Sequence, residues 1–268
     1  MRSTGRWLLR PPSPEAEARL FCLPYSGTGA SSYRRWPTRI GPLEVCPVQL
    51  PGRENRIRHA PYDSVAEFAE AAAEALAPSL DRPYVLFGHC MGALLAHALA
   101  ARIEDLGLPP ATLLVVSSAA VPHLPAEQRY RAPEHGVGGI YHPSMTDEQL
   151  AGELHHVAAA LGGGEILPEL LPLAVRVLRA DVELCYGYQL PAPRPVRSRL
   201  TAIGWTADPE VEPEEMRRWS AYGNAVHRVL EGGKLSYLAA PTALTRLLEE
   251  EHAEALSGAA TTTMRGTP

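Results

Sequence analysis

The sequence predicts an α/β domain built on a mostly parallel sheet with helices on both faces. Three observations predict it. Short apolar runs without polar alternation, such as Tyr84-Val-Leu-Phe-Gly88 and Thr112-Leu-Leu-Val-Val-Ser117, read as strands buried on both faces. These runs alternate with helical segments, the pattern of a parallel sheet wound by crossover helices. The helix expected after Gly92 is apolar almost all round, as a helix lying beneath a sheet is.

Each element has a local reason. The first fourteen residues are rich in Pro, Ser and Arg and read as a flexible leader. Arg19-Leu-Phe-Cys-Leu-Pro24 is a short strand stopped by proline, followed by a Gly/Ser-rich loop. Residues 43–50 form a second strand, ended by Pro51-Gly52. Ser64 and Glu67 have the spacing of a capping box and open an Ala-rich helix reaching about Leu80. A sharp turn joins the strand at Gly88 to the next helix, and Gly107 suits the position just past that helix. Residues 122–195 break the alternation with a mobile-looking loop and two or three helical pieces, an insertion of the kind that caps an active site. The alternation returns with a strand at 200–204, a helix near 213–221, a strand at 226–230 and a last helix from Pro241 to about Leu256. The expected organisation is one domain over residues 15–256, a lid over about 122–195, and flexible termini at 1–14 and 257–268.

Composition excludes several function classes. The chain has 268 residues, 46% hydrophobic and 21% charged, ordinary for a globular protein. Its 25 basic and 30 acidic residues leave a net charge of −5, with no basic surplus for nucleic acid and no polybasic tether for a membrane. No apolar run reaches the ~18 residues of a membrane span, and the N-terminus lacks a signal-peptide core. Cys22, Cys46, Cys90 and Cys185 are too few for a disulfide scaffold and lack zinc-ligand spacing, so a cytoplasmic protein with reduced thiols and no bound metal is expected.

The sharpest motif is Gly88-His-Cys-Met-Gly92, placed between a strand and a helix. That is the context of a nucleophile elbow, in which flanking glycines make room for a strained turn that exposes the central side chain. Cys90 is the candidate nucleophile, and the Met91 N–H is placed to stabilise an oxyanion, helped by the helix N-terminus.

Together with this elbow, Leu20-Phe-Cys-Leu-Pro24, Val48-Gln-Leu-Pro-Gly-Arg-Glu-Asn55, Val177-Leu-Arg-Ala-Asp181 and Ala207-Asp-Pro-Glu-Val211 give the chain a close resemblance, from about residue 19 to 250, to the type II thioesterases of polyketide and nonribosomal peptide pathways. The resemblance implies an α/β-hydrolase fold and a helical lid between the sixth and seventh strands. It also implies no bound cofactor and substrates carried as thioesters on the phosphopantetheine arm of an acyl or peptidyl carrier protein. Carried over residue by residue, the nucleophilic Ser of the family is Cys90 here, and its Asp is Asp208. Its His, which follows two glycines after the last strand, is replaced by Lys234 after Gly232-Gly233. The oxyanion loop reads Pro24-Tyr-Ser-Gly27, so Tyr25 replaces a His and Ser26 supplies the second N–H. Thr206 stands where an acidic residue is common.

A thiol needs no strong base once a nearby cation lowers its pKa. Lys234 is expected to supply that charge with Asp208 holding the ammonium, or else to act as a desolvated base; the alternative is a solvated loop lysine. The alternative for Asp208 is the N-cap of the helix after the seventh strand. Attack by Cys90 on a carrier thioester yields another thioester, and with the usual His missing, a nucleophile within the substrate becomes attractive. A Cys-bearing branch resembling these thioesterases performs Dieckmann cyclisation to tetramate or pyridone rings. Off-loading by cyclisation or acyl transfer is therefore the leading expectation. Hydrolytic editing by a type II thioesterase and a degenerate carrier-binding homologue are the rivals. Among other histidines, His123 and His227 are candidates to replace the lost base. Tyr25 and Tyr186 are candidate substrate contacts. Arg34-Arg35, Arg53 to Arg58 and Arg217-Arg218 either meet an acidic carrier protein or form a solvated surface.

Overall fold

The computed structural model describes residues 7–130, 141–163 and 166–264. Seven strands form one sheet: β1 (Ala18–Leu23), β2 (Arg39–Ile40), β3 (Leu43–Pro47), β4 (Tyr84–His89), β5 (Leu113–Ser117), β6 (Arg199–Ala207) and β7 (Ala225–Gly233). The order across the sheet is β2-β3-β1-β4-β5-β6-β7. Every pairing is parallel except that of β2 with β3. Two-residue β2 escapes a reading based on apolar runs.

The helices are α1 (Val65–Leu76), α2 (Met91–Asp105), α3 (Ala126–Arg129), α4 (Asp147–Ala160), α5 (Leu171–Gly187) and α6 (Thr242–Met264). Ser64 caps α1 by accepting from the Glu67 N–H. The side chains of each strand alternate between two cores. Phe21, Leu23 and Leu86 point to the face covered by α1 and α2. Leu20, Cys22, Val85 and Phe87 point to the face covered by α6 and by lid residues such as Leu154 and Leu178. This two-sided burial is why the strands read as unbroken apolar runs. α3, α4 and α5 are inserted between β5 and β6 as strands are counted in this chain. Part of the expected mobile loop, residues 131–140, lies outside the described residues.

Three expectations change. The leader is anchored from Trp7, which is buried, stacks on Tyr62 at 6.1 Å and sits under the Arg56 guanidinium. Its carbonyl accepts from the Gln49 N–H at 2.7 Å. A single large aromatic outweighs the loop-like composition around it. Residues 213–222 form tight 3-10 turns rather than an α-helix. Pro213 sits so close to β6 that a Cβ on Gly204 would lie 2.5 Å from its Cα. The last helix continues past Leu256 to Met264. Among the described residues no helix is long and apolar enough to cross a membrane.

His97, on the buried side of α2, shares a 2.9 Å hydrogen bond between Nε2 and the Arg194 carbonyl, while Nδ1 has no partner. Its ring meets Tyr222 edge-on at 4.9 Å. Burial drives its pKa from the ordinary 6.5 down to about 4. The imidazole is thus neutral when folded but protonated when unfolded between these values. Folding stability is unaffected by this group above pH 6.5 and falls as pH drops towards 4, by about 3 kcal/mol in all. Thermal unfolding of the wild type and of His97→Gln, followed from neutral to mildly acid pH, should show a shallower loss of Tm in the variant. Parallel curves would remove His97 from the acid sensitivity.

Candidate active site

The elbow is shaped by what has no room. Cys90 joins β4 to α2 at φ 53° and ψ −116°, a strained conformation for a non-glycine residue. A Cβ on Gly88 would lie 2.0 Å from the Gly92 carbonyl oxygen, and one on Gly92 2.5 Å from the Leu23 carbonyl oxygen. Any other residue at either position would push the helix off the sheet. The Cys90 N–H donates to the Ser117 carbonyl at 2.9 Å, which fixes the elbow to β5. Cys90, Met91 and Ser26 line one chamber, together with Tyr130, Tyr141 and Cys185. The Met91 N–H is turned to the Cys90 thiol and favours its ionised form. The two backbone groups expected to bind an oxyanion therefore belong to residues on the same cavity wall as the sulfur.

Lys234 lies in the interior, only 6% exposed, and is the single lysine of the chain. It forms an ion pair with Glu210, not with Asp208. Its ammonium also sits over two tyrosine rings, 5.4 Å from the centroid of Tyr25 and 5.5 Å from that of Tyr141. Burial by itself would lower the lysine pKa, but Cys90 and Glu210 outweigh it and raise the value above the ordinary 10.5. Its burial removes the expectation of a solvated lysine, and the upward shift favours the cationic expectation over that of a neutral base. Glu210 is shifted upward by its own burial, against the pull of Lys234, which leaves a carboxylate more basic than usual. It lines the Cys90 chamber and also a larger cavity on the lid side of the pair, with His156 and Glu153.

Cys90 itself departs from expectation. Its pKa is raised above 9.0, because burial outweighs the lowering effect of Lys234. The thiol rests protonated, and the cation limits a penalty that burial alone would make larger.

Asp208 is turned to the backbone. One carboxylate oxygen accepts the N–H groups of Glu210 and Val211 at 2.9 and 3.2 Å, and the other accepts the Ser118 hydroxyl. It caps the turn that carries Glu210 and thereby aims it. The sequence reading passed over Glu210, although it stands two residues on in the quoted Ala207-Asp-Pro-Glu-Val211 stretch. Thr206 accepts the Gly232 N–H at 3.1 Å, which ties the turn after β6 to the loop carrying Lys234.

Among the described residues no imidazole lines the Cys90 chamber. His123 is engaged with the Tyr222 hydroxyl at 2.9 Å and His227 with the Pro213 carbonyl at 2.7 Å. His89 stacks on Tyr237 at 4.0 Å and meets the Ser117 hydroxyl at 3.0 Å. Tyr25 donates to the Tyr141 hydroxyl at 2.8 Å, joining the loop after β1 to the lid. Tyr186 packs on Tyr130 and His142 and stands behind the chamber wall rather than in it. Among the described residues no group of three potential metal ligands is assembled.

The Gln-Leu-Pro-Gly-Arg block is a staple. Arg53 donates to both oxygens of Asp181 on α5, each at 2.6 Å, and to the Thr28 carbonyl at 2.9 Å. Asp181 also accepts the Gly27 N–H at 2.8 Å, and Gln49 accepts the Ala30 N–H at 2.9 Å. Lid and oxyanion loop are locked through one buried bidentate pair. Arg53 and Arg56 are therefore interior, not a solvent-facing patch, and Arg34 and Arg35 donate to the carbonyls of Leu161 and Ala160 at the end of α4.

Residues 18–255 match the family model described as the thioesterase domain. Among curated proteins the chain is 36% identical over 231 residues to linear gramicidin dehydrogenase LgrE of Brevibacillus parabrevis, covering 83% of this chain and 82% of that protein. It is 34% identical over 211 residues to gramicidin S biosynthesis protein GrsT of Aneurinibacillus migulanus, covering 76% of each. Among solved structures, the RedJ thioesterase of the prodiginine pathway in Streptomyces coelicolor superposes with a TM-score of 0.71 at 34% identity, over 91% of this chain and 93% of that one. The type II thioesterase BorB of the borrelidin cluster gives a TM-score of 0.73 at 30% identity, over 92% of this chain and 97% of that one. With a seven-stranded, mostly parallel sheet, an elbow at its centre and a helical insertion above it, the chain is an α/β-hydrolase-fold protein that belongs to the thioesterase family.

Proposed function

We propose that this chain is a type II thioesterase that removes acyl or peptidyl chains from the phosphopantetheine arm of a carrier protein, by way of an acyl-Cys90 intermediate released by water. The observation that carries the proposal is the shared chamber of Cys90 and Glu210, with Lys234 held cationic beside both. The biosynthetic relatives support the substrate class, and their kind supports hydrolysis over cyclisation.

The steps follow from the protonation states. The Cys90 thiol passes its proton to the Glu210 carboxylate, made more basic by burial, and the thiolate forms beside the Lys234 ammonium. Sulfur attacks the thioester carbonyl. The oxyanion is met by the N–H groups of Met91 and Ser26, and the pantetheine sulfur leaves with the proton from Glu210. Glu210 then takes a proton from water as it attacks the acyl-Cys90 carbonyl, and the acid is released with the thiol restored. Asp208 acts as a positioning residue, by capping the turn that aims Glu210.

One observation favours a second reading. Among the described residues no imidazole lines the chamber, and Lys234 beside it holds its proton, so in this arrangement activation of water rests on Glu210. The same carboxylate is able to take a proton from an acidic carbon between two carbonyls of a bound chain. Release would then be a Dieckmann-type ring closure.

Intact-protein mass after mixing with a simple acyl thioester and with a β-ketoacyl-aminoacyl thioester separates these readings. A Cys90-dependent adduct is expected from both, with free acid as product. Glu210→Gln is expected to trap the adduct, slowing release by about a hundredfold or more. A ring released only from the second substrate would replace hydrolysis with cyclisation. An adduct absent from wild type, as from Cys90→Ala, would leave a carrier-binding protein without chemistry. A second test uses the thiol pKa. Alkylation of Cys90 by iodoacetamide at neutral pH should be slower than that of free cysteine, and its rate should level off only above pH 9. Lys234→Met should move the rise higher still, and an unchanged profile would show that the ammonium does not act on the thiol.

A further inference from the structure

The acyl chamber contains a buried cation that the chemistry above does not use. Arg129 ends α3, lines the chamber with Cys90 and is only 5% exposed. Its Nε donates to the Leu124 carbonyl at 3.1 Å. One terminal nitrogen donates to the Tyr130 hydroxyl at 3.2 Å and the Cys185 carbonyl at 3.3 Å, and the other to the Tyr188 carbonyl. A guanidinium has five N–H groups, so one on Nη2 is left without an acceptor among the described residues. All four acceptors are neutral. Among the described residues no carboxylate pairs with Arg129, whereas Arg19 and Arg53, equally buried, pair with Asp81 and Asp181.

A buried charge held only by neutral dipoles is costly unless an opposite charge completes it. Among the described residues, the two acids nearest Cys90 are committed elsewhere. Glu210 on the chamber wall is matched by Lys234, and Asp208 is turned to the Ser118 hydroxyl and two N–H groups. Leu94, Val182 and Ala119 give the rest of the chamber an apolar wall suited to methylene groups.

We propose that the chamber selects acyl chains ending in a carboxylate, bound at its far end by Arg129 while the thioester carbonyl meets Cys90. The substrate class is then the half-thioester of a dicarboxylic acid. The assignment rests on the proposed thioesterase reaction for its use, but not for its binding chemistry.

The test compares N-acetylcysteamine thioesters of succinic, glutaric and adipic acids with the same thioesters methylated at the free carboxylate. Wild type should show about tenfold or greater kcat/KM for at least one free carboxylate over its methyl ester, the size of a charge-assisted contact. Arg129→Gln should collapse that ratio, and Arg129→Lys should retain part of it. A ratio near unity in wild type, or one unchanged in Arg129→Gln, overturns the proposal. If Arg129→Gln does not fold, as judged by circular dichroism, the wild-type ratio and Arg129→Lys decide. Binding is read separately by titration calorimetry of glutarate into Cys90→Ala with Arg129 intact and with Arg129→Gln. Glutarate bound only when Arg129 is intact, without turnover of any thioester, would sustain the chamber assignment and sink the thioesterase reaction. Turnover without carboxylate preference and without glutarate binding would do the reverse.

Discussion

The ion pair between Lys234 and Glu210 sets the electrostatics of everything around it. Removing two ions from water costs several kcal/mol each, which their attraction must offset at close range. The pair is further held by two tyrosine faces under the ammonium. Its consequence is a division of labour. The lysine cannot give up its proton without leaving a buried carboxylate unpaired beside a thiol that can itself ionise. The carboxylate, desolvated and only partly compensated, is the group whose proton affinity burial raises. Cys90 feels both, and its burial keeps it a thiol until substrate and proton acceptor are in place.

That arrangement works only on a backbone that does not yield. The elbow stores strain at Cys90, and the contacts left by Gly88 and Gly92 leave no slack between β4, α2 and β1. Above it, Arg53 and Asp181 join the loop carrying Ser26 to α5 of the lid. Breaking one partner of such a buried pair would strand the other charge, so lid and oxyanion loop move together or not at all. Gly27 reinforces the coupling: it takes φ 74°, and a Cβ there would press within 3.3 Å of Leu178 and Leu154 from the two lid helices.

What could be read from the sequence was what is local. The elbow announces itself because its glycines, its strand and its helix are adjacent in the chain. The sheet announces itself because strands buried on both faces leave unbroken apolar runs. The partner of Lys234 was not legible. Asp208 and Glu210 lie in one short turn, and which carboxylate faces the chamber depends on Asp208 spending its oxygens on the N–H groups of that same turn. The direction of the Cys90 shift was equally hidden, since residue types show a cation nearby but not the depth of burial that opposes it. Clustered arginines suggested a surface, yet Arg53 and Arg56 are interior, because their acceptors (Asp181 and the Gln49 carbonyl) are assembled only by tertiary contacts.

The departures from the usual residues of the family make physical sense together rather than singly. An imidazole serves as base and then as acid on one ring, and so can deprotonate even a serine. In the proposed site a Lys–Glu pair splits that duty between a buried cation and a carboxylate whose basicity is raised chiefly by burial. Such a carboxylate is far too weak a base for a hydroxyl, but it is better matched to a thiol, whose ionised form the neighbouring ammonium stabilises. With lysine at 234, a serine at 90 would have no adequate base. With cysteine at 90, the imidazole is no longer required. Tyr25 belongs to the same set. A second ionisable ring beside Lys234 would compete for Glu210 or repel the ammonium, whereas a phenol kept neutral by burial offers its face to the cation and its hydroxyl to Tyr141. The three substitutions thus fit together as the proposed site balanced around a thiol.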